Sequence, residues 1–165
     1  MTFVTAVKSG FQNALKFSGR SRRPEYWWFF LFVFAGAFVI GLLEMALFQG
    51  GSQVLTRIFQ LVVLLPFLAV AWRRLQDTGR PGWWVLVPSV IVIVSSLYAG
   101  SVSRQMVERM GDMSQMPMMG GAQSGLILVL SLLQIVAGVV IIWWMTRPSQ
   151  RGANDYGPEP RVRAK

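Results

Sequence analysis

Cysteine and histidine are both missing from the 165 residues of this chain. Their absence excludes disulfides, thiolate or imidazole metal ligands, thiol nucleophiles and imidazole acid–base chemistry together. Acidic residues are scarce too: seven Asp and Glu stand against sixteen Lys and Arg, a formal net charge of +9. Any catalysis would rest on those few carboxylates, on Arg and Lys, on hydroxyls or on a bound ion, which weighs against an enzyme. Charged residues of either sign make up only 14% of the chain, where soluble domains carry roughly a quarter. From Met1 to Gly19 there is no continuous apolar run. No cleavable signal peptide is expected, and the first membrane helix is expected to serve as the targeting signal.

What is present is apolar: 53% of residues are hydrophobic and the mean hydropathy is +0.47. A soluble chain of this length cannot bury so much apolar surface, whereas lipid accepts it. Four apolar stretches, at about 26–48, 53–72, 82–98 and 126–145, are candidates to cross a hydrocarbon core roughly 30 Å thick. The second holds Arg57 and Pro66 and the third holds Pro88; Pro is tolerated in membrane helices where neighbours satisfy the freed carbonyl. The expected fold is all-α: residues 1–25 a cytoplasmic amphipathic helix and basic link, 26–146 a four-helix transmembrane domain, and 147–165 a cytoplasmic tail. Phe3, Val4, Val7, Phe11, Ala14 and Leu15 recur at helical spacing between Lys8, Gln12, Asn13 and Lys16, the pattern of a helix lying in the membrane interface. The tail after Thr146 holds three Pro and two Gly and is expected to be extended or partly disordered. Ala37 with Gly41, and Ala137 with Gly138, are small-residue steps expected to favour close helix contact.

Lys8, Lys16, Arg20, Arg22 and Arg23 precede the first stretch; Arg73, Arg74 and Arg80 follow the second; Arg147, Arg151, Arg161, Arg163 and Lys165 follow the fourth. Thirteen of the sixteen basic residues thus fall on one side, against Arg57, Arg104 and Arg109 on the other. The positive-inside rule places the richer side, with both termini, in the cytoplasm. All seven Trp (Trp27, Trp28, Trp72, Trp83, Trp84, Trp143 and Trp144) fall at the same ends, where the amphipathic indole favours the headgroup region.

Three segments mass at that side. They are Gly19-Arg20-Ser21-Arg22-Arg23-Pro24-Glu25-Tyr26-Trp27, then Arg73-Arg74-Leu75-Gln76-Asp77-Thr78-Gly79-Arg80-Pro81-Gly82-Trp83-Trp84, and Gly152-Ala153-Asn154-Asp155-Tyr156-Gly157-Pro158. In this order, and over nearly the whole chain, they resemble the bacterial DUF805 family, small inner-membrane proteins with no established activity. The resemblance implies a multi-pass protein of the bacterial inner membrane. That family commonly has His before the loop Asp, where this chain has Gln76.

Asp77-Thr78-Gly79 is a turn signal, expected to reverse the chain between the second and third helices. Arg73, Arg74 and Arg80 crowd this loop, with Glu25 and Asp77 as counter-charges. Anchoring of helix ends by Arg and Trp accounts for both residue types. The functional alternative is a basic site for an anionic lipid headgroup or a protein partner's acidic segment, formed by Arg20, Arg22, Arg23, Glu25, Trp27, Arg73, Arg74, Asp77, Arg80, Trp83 and Trp84. Glu44 and Arg57 sit six residues to either side of Gly50-Gly51 and are expected to form an ion pair at matching depth. Met106 and Met110 open a Met-rich stretch within an expected outer loop at about 99–123, which continues through Met113, Met116, Met118 and Met119. Thioethers can bind Cu(I), although packing on the membrane accounts for such residues more simply.

The leading functional expectation is a non-enzymatic binding or scaffold protein using the basic, Trp-rich face for anionic lipid or a protein partner. An oligomeric channel or transporter subunit is second; Ser95, Ser96, Ser131 and Gln134 are few groups from which to line a path. A lipid-modifying enzyme is third and would need Glu25, Asp77 and Asp155 to converge. Neither a cofactor nor a nucleic-acid partner is expected.

Overall fold

The computed structural model describes residues 1–48, 53–110 and 121–160. Among the described residues the chain is all-helical: α1 (Phe3–Gln12), α2 (Arg23–Phe48), α3 (Val54–Asp77), a 3-10 turn (Gly82–Val85), α4 (Leu86–Met110) and α5 (Gly121–Thr146). Four stretches, Arg23–Phe48, Val54–Asp77, Gly82–Gln105 and Gln123–Thr146, are long and apolar enough to cross a membrane. Two compact units are present. One holds Met1–Val85 and the chain from Trp144 onward; the other holds Leu86–Trp143.

In the first unit, α1 begins with a capping box in which the backbone N–H of Thr5 donates to the Thr2 hydroxyl while the Thr2 backbone N–H donates to that of Thr5. It satisfies two N–H groups that the first turn leaves without helical partners. Ala6 and Gly10 form its buried face, because only small residues let α1 lie close on Phe29. A Cβ at Gly10 would stand 2.3 Å from that ring. Phe3 meets Trp28 edge-on at 5.9 Å, and Phe11 meets Phe29 at 5.7 Å. The helix stops at Gln12, with Asn13 as its C-cap, so Ala14 and Leu15 lie beyond the periodic stretch.

Aromatic packing joins α2 to α3: Phe67 lies 6.2 Å from Tyr26 and 6.4 Å from Phe30, and Phe32 lies 6.2 Å from Phe59. The close approach is made at Gly36, where a Cβ would stand 2.6 Å from the Phe59 ring. The Ala37 and Gly41 step read from the sequence is displaced by one helical position, since Gly41 faces open space, as does Gly138. Pro66 is buried within α3, which continues unbroken through it.

Helix α3 runs to Asp77, five residues past the expected end of the second span. Arg73, Arg74 and Asp77 therefore stand on its last turns, not in a loop. A Schellman motif ends the helix: the Arg80 N–H donates to Leu75 O at 3.1 Å and the Gly79 N–H to Gln76 O at 3.1 Å. Gly79 takes φ +77°, the left-handed conformation that this cap requires and Gly adopts without a Cβ penalty. Gly82 then passes under Trp72 so closely that a Cβ would fall 2.1 Å from the indole.

The second unit contains α4 and most of α5. The amide of Gln123 donates to that of Gln105 at 3.3 Å. Helix α4 extends to Met110 and α5 starts at Gly121, so much of the expected outer loop is helical. The Met113, Met116, Met118 and Met119 reading lies outside the described residues. Ser95 and Ser131 return their hydroxyls to Ile91 O (2.7 Å) and Ile127 O (2.8 Å) of their own helices, the usual resting place for Ser inside an apolar helix. They offer no polar lining.

Candidate functional site

The three segments meet at one end of the first unit, where α2 begins, α3 ends and the chain leaves α5. Asp77 is the hub. Its side chain is fully buried. One carboxylate oxygen accepts from Arg20 Nε at 2.9 Å, while the other accepts from Arg74 Nη1 and from the Ser149 hydroxyl. Its backbone carbonyl accepts from the N–H of Gln150 at 2.9 Å. A buried carboxylate is tolerable only with this degree of pairing, since desolvation of one unpaired ion costs several kcal/mol.

Each arginine on Asp77 carries a second load. Arg74 also donates to Met145 O, at 3.1 Å and 3.2 Å, and to Arg147 O. Met145 O lies in the last turn of α5 and Arg147 O just past its end at Thr146, where helical partners run out and the helix dipole favours a cation. Arg20 reaches the tail, donating to Gly152 O at 2.6 Å and to Gln150 O. Asn154 donates to Gln76 O at 2.9 Å and accepts from the Tyr156 N–H at 3.0 Å. With Gly157 it closes a small antiparallel bridge. The expectation of an extended or partly disordered tail is corrected for residues 147–160: long-range polar contacts order a stretch that local composition leaves unstructured.

Glu25 is the second buried acid. It accepts from the hydroxyls of Ser9 and Ser21, each at 2.8 Å, and lies 3.7 Å from Arg73 Nη2. Ser21 is itself buried, and its N–H donates to Arg73 O at 3.1 Å. Arg73 Nε donates back to Ala69 O at 3.2 Å, leaving buried Nη2 without a hydrogen bond, as is the Gln76 Oε1 atom. On another side, Trp83 and Trp84 stack at 4.6 Å, Trp84 meets Trp144 edge-on at 5.4 Å, and the Arg80 guanidinium sits 5.1 Å above Trp144. Trp27 stands away from this cluster, packed on Tyr26 and Phe30 at 5.3 Å and 5.8 Å.

Arg22 and Arg23 remain at the surface of the knot. Arg22 donates from Nε (3.1 Å) and Nη2 to Pro160 O, and Arg23 from Nε to Arg147 O at 2.7 Å. With Pro24, Ser149, Glu159 and Pro160 they line a cavity of about 290 Å³. Of the residues read from sequence, Arg20, Glu25, Arg73, Arg74 and Asp77 are thus drawn into internal pairing, and Arg22 and Arg23 face a cavity. Glu25 and Asp77 give their oxygens to Ser and Arg donors, while Asp155 is exposed. Among the described residues no three of His, Cys, Asp and Glu group as metal ligands.

Glu44 stands elsewhere, at the opposite end of the α2–α3 pair. The expected Glu44–Arg57 ion pair is absent among the described residues. Glu44 instead accepts from the Leu55 N–H and the Thr56 hydroxyl, capping the first turn of α3 from a neighbouring helix. Equal depth brings the two side chains to the same level, but the unpartnered N–H groups of α3 lie nearer the carboxylate and take it.

Sequence reasoning missed Ser9, Ser21, Ser149, Gln150, Glu159 and the carbonyls of Met145 and Arg147. The spacing Asn154-x-x-Gly157 was a readable turn signal. The serines carry no local signature.

The family model for "Protein of unknown function (DUF805)" matches residues 14–158. Inner membrane protein YhaH of Escherichia coli (strain K12) is 42% identical over 99 residues, covering 54% of this chain and 82% of that protein. Inner membrane protein YhaI of the same organism is 40% identical over 78 residues, covering 46% of this chain and 64% of that protein. No solved structure matches.

Proposed function

We propose that this chain, which belongs to the DUF805 family, is a lipid-binding protein of the inner membrane whose Arg- and Trp-rich end faces the cytoplasm and holds an anionic phospholipid headgroup. The observation that carries the reading is the cavity of about 290 Å³ between Arg22, Arg23, Ser149 and Glu159. Arg22 spends Nε and Nη2 on Pro160 O and Arg23 spends Nε on Arg147 O, and a guanidinium has five N–H donors. Donors remain on each for phosphate oxygens, which Arg engages in bidentate fashion. Basic clusters at a cytoplasmic membrane surface attract anionic lipid by about 1 kcal/mol per Lys or Arg.

Internal pairing supports the same assignment. Glu25 and Asp77 are consumed by Ser9, Ser21, Arg20, Arg73 and Arg74, so neither competes with a phosphate at Arg22 and Arg23. Trp83, Trp84 and Trp144 carry their rings at the same end, at the level where indoles settle among headgroups. The basic residues on this side, thirteen of sixteen, support its cytoplasmic placement.

The test is a titration of the purified chain with phosphatidylglycerol, read by native mass spectrometry. Arg22→Gln/Arg23→Gln is expected to raise the lipid concentration needed for one binding step at least about tenfold, or about 1.4 kcal/mol. An unchanged titration would remove the reading.

A further inference from the structure

Helix α3 carries another basic position at its opposite end. Arg57 precedes Arg74 by 17 residues on the same helix, about 25 Å along the axis at 1.5 Å per residue. In a hydrocarbon layer roughly 30 Å thick, that separation sets Arg57 at the far boundary, within reach of the other leaflet's phosphates by snorkelling. A cavity of about 420 Å³ opens there, lined by Arg57, Gln60, Leu61 and Leu64. The spacing i, i+3, i+4, i+7 makes these one helix face. Its order is a cation at the boundary, an amide one turn deeper and two leucines toward the midplane.

The partner that would have neutralised Arg57 is engaged elsewhere, since Glu44 is held by Leu55 and Thr56. Among the described residues, neither the Arg57 guanidinium nor the Gln60 amide has a hydrogen-bond partner. Glu44 acts on Arg57 only electrostatically, from outside ion-pair range. A singly charged phosphodiester suits that position better than a dianion.

We infer that this groove holds one phospholipid of the leaflet at that end. Its phosphodiester sits on Arg57, its glycerol ester lies within reach of the Gln60 amide, and an acyl chain runs along Leu61 and Leu64. The site is separate from the Arg22 and Arg23 cavity and stands whether or not that cavity binds lipid.

The experiment titrates the full chain in detergent with phosphatidylglycerol and counts bound lipids by native mass spectrometry. A neutral diacyl glycolipid with the same chains and inorganic phosphate serve as competitors. Arg57→Gln removes the cation, and Leu64→Trp fills the groove while keeping the charge. Each is expected to raise the lipid concentration for one binding step about tenfold, about 1.4 kcal/mol, while any step sensitive to Arg22→Gln/Arg23→Gln is unchanged. Neither competitor is expected to displace that lipid. An Arg57→Gln titration identical to wild type overturns the inference. So does a Leu64→Trp variant that binds as wild type, which would reduce Arg57 to unspecific charge attraction, and so does displacement by either competitor.

Discussion

Replacing Asp77 by Ala removes the centre of the polar knot, and the cost can be worked from its partners. Its side chain accepts from Arg20, Arg74 and Ser149. Hydrogen bonds to charged groups contribute about 1.5–3 kcal/mol each and a neutral one about 1, and breaking a buried ion pair on one side costs about 3–5 kcal/mol. Both arginines keep other acceptors: Arg74 retains Met145 O and Arg147 O, and Arg20 retains Gly152 O and Gln150 O. The low end, about 3 kcal/mol, is therefore expected. The readout is trypsin cleavage at the exposed Arg151–Gly152 bond, which lies between the Gln150 and Gly152 carbonyls bound by Arg20, itself held by Asp77. Where opening is fast relative to cutting, cleavage tracks the open population, and about 3 kcal/mol corresponds to roughly a hundredfold acceleration. The unfolding midpoint followed by Trp fluorescence should fall in parallel. Asp155→Ala, at an exposed position, should change neither. Cleavage of Asp77→Ala within about twofold of wild type, the range of an inert surface substitution, would refute the idea that Asp77 holds the tail.

Glu44→Gln and Thr56→Val should each destabilise the chain by about 1 kcal/mol, the usual worth of a helix cap, whereas Arg57→Gln should leave the unfolding midpoint near wild type; the reverse ranking would restore an ion pair. Gly82→Ala should cost about 1–3 kcal/mol by overpacking against Trp72, visible as a lowered unfolding midpoint and altered Trp emission. Gly10→Ala should push α1 off Phe29, measured as faster amide exchange across residues 3–12, while Lys8→Ala on its exposed side should not.

The spans were legible because hydropathy over twenty residues is a summed property that single charges do not erase. The end of α3 was not. Arg73 and Arg74 read as loop because charge stops an apolar run, yet their side chains find Glu25, Asp77 and the end of α5, so the backbone stays helical beneath them. The tail shows the same limit more strongly: the contacts of Arg20 with Gln150 and Gly152 span 130 and 132 residues, and no local pattern encodes such partners. For Glu44 the depth was readable but the competitor was not, since a neighbouring helix start attracts a carboxylate as well as an arginine does. At the candidate site, residue types and gathering were readable. The division of labour was not, because which arginines are consumed by Glu25 and Asp77 depends on packing.

The most direct test of the lipid-binding account is dephasing of arginine guanidinium nitrogens by lipid phosphorus, measured by solid-state NMR in phosphatidylglycerol proteoliposomes and compared between wild type and Arg22→Gln/Arg23→Gln. Strong dephasing is expected in wild type, with a component that disappears in the variant while the signals of buried Arg20 and Arg74 stay undephased in both. Equal dephasing in the two proteins would contradict it.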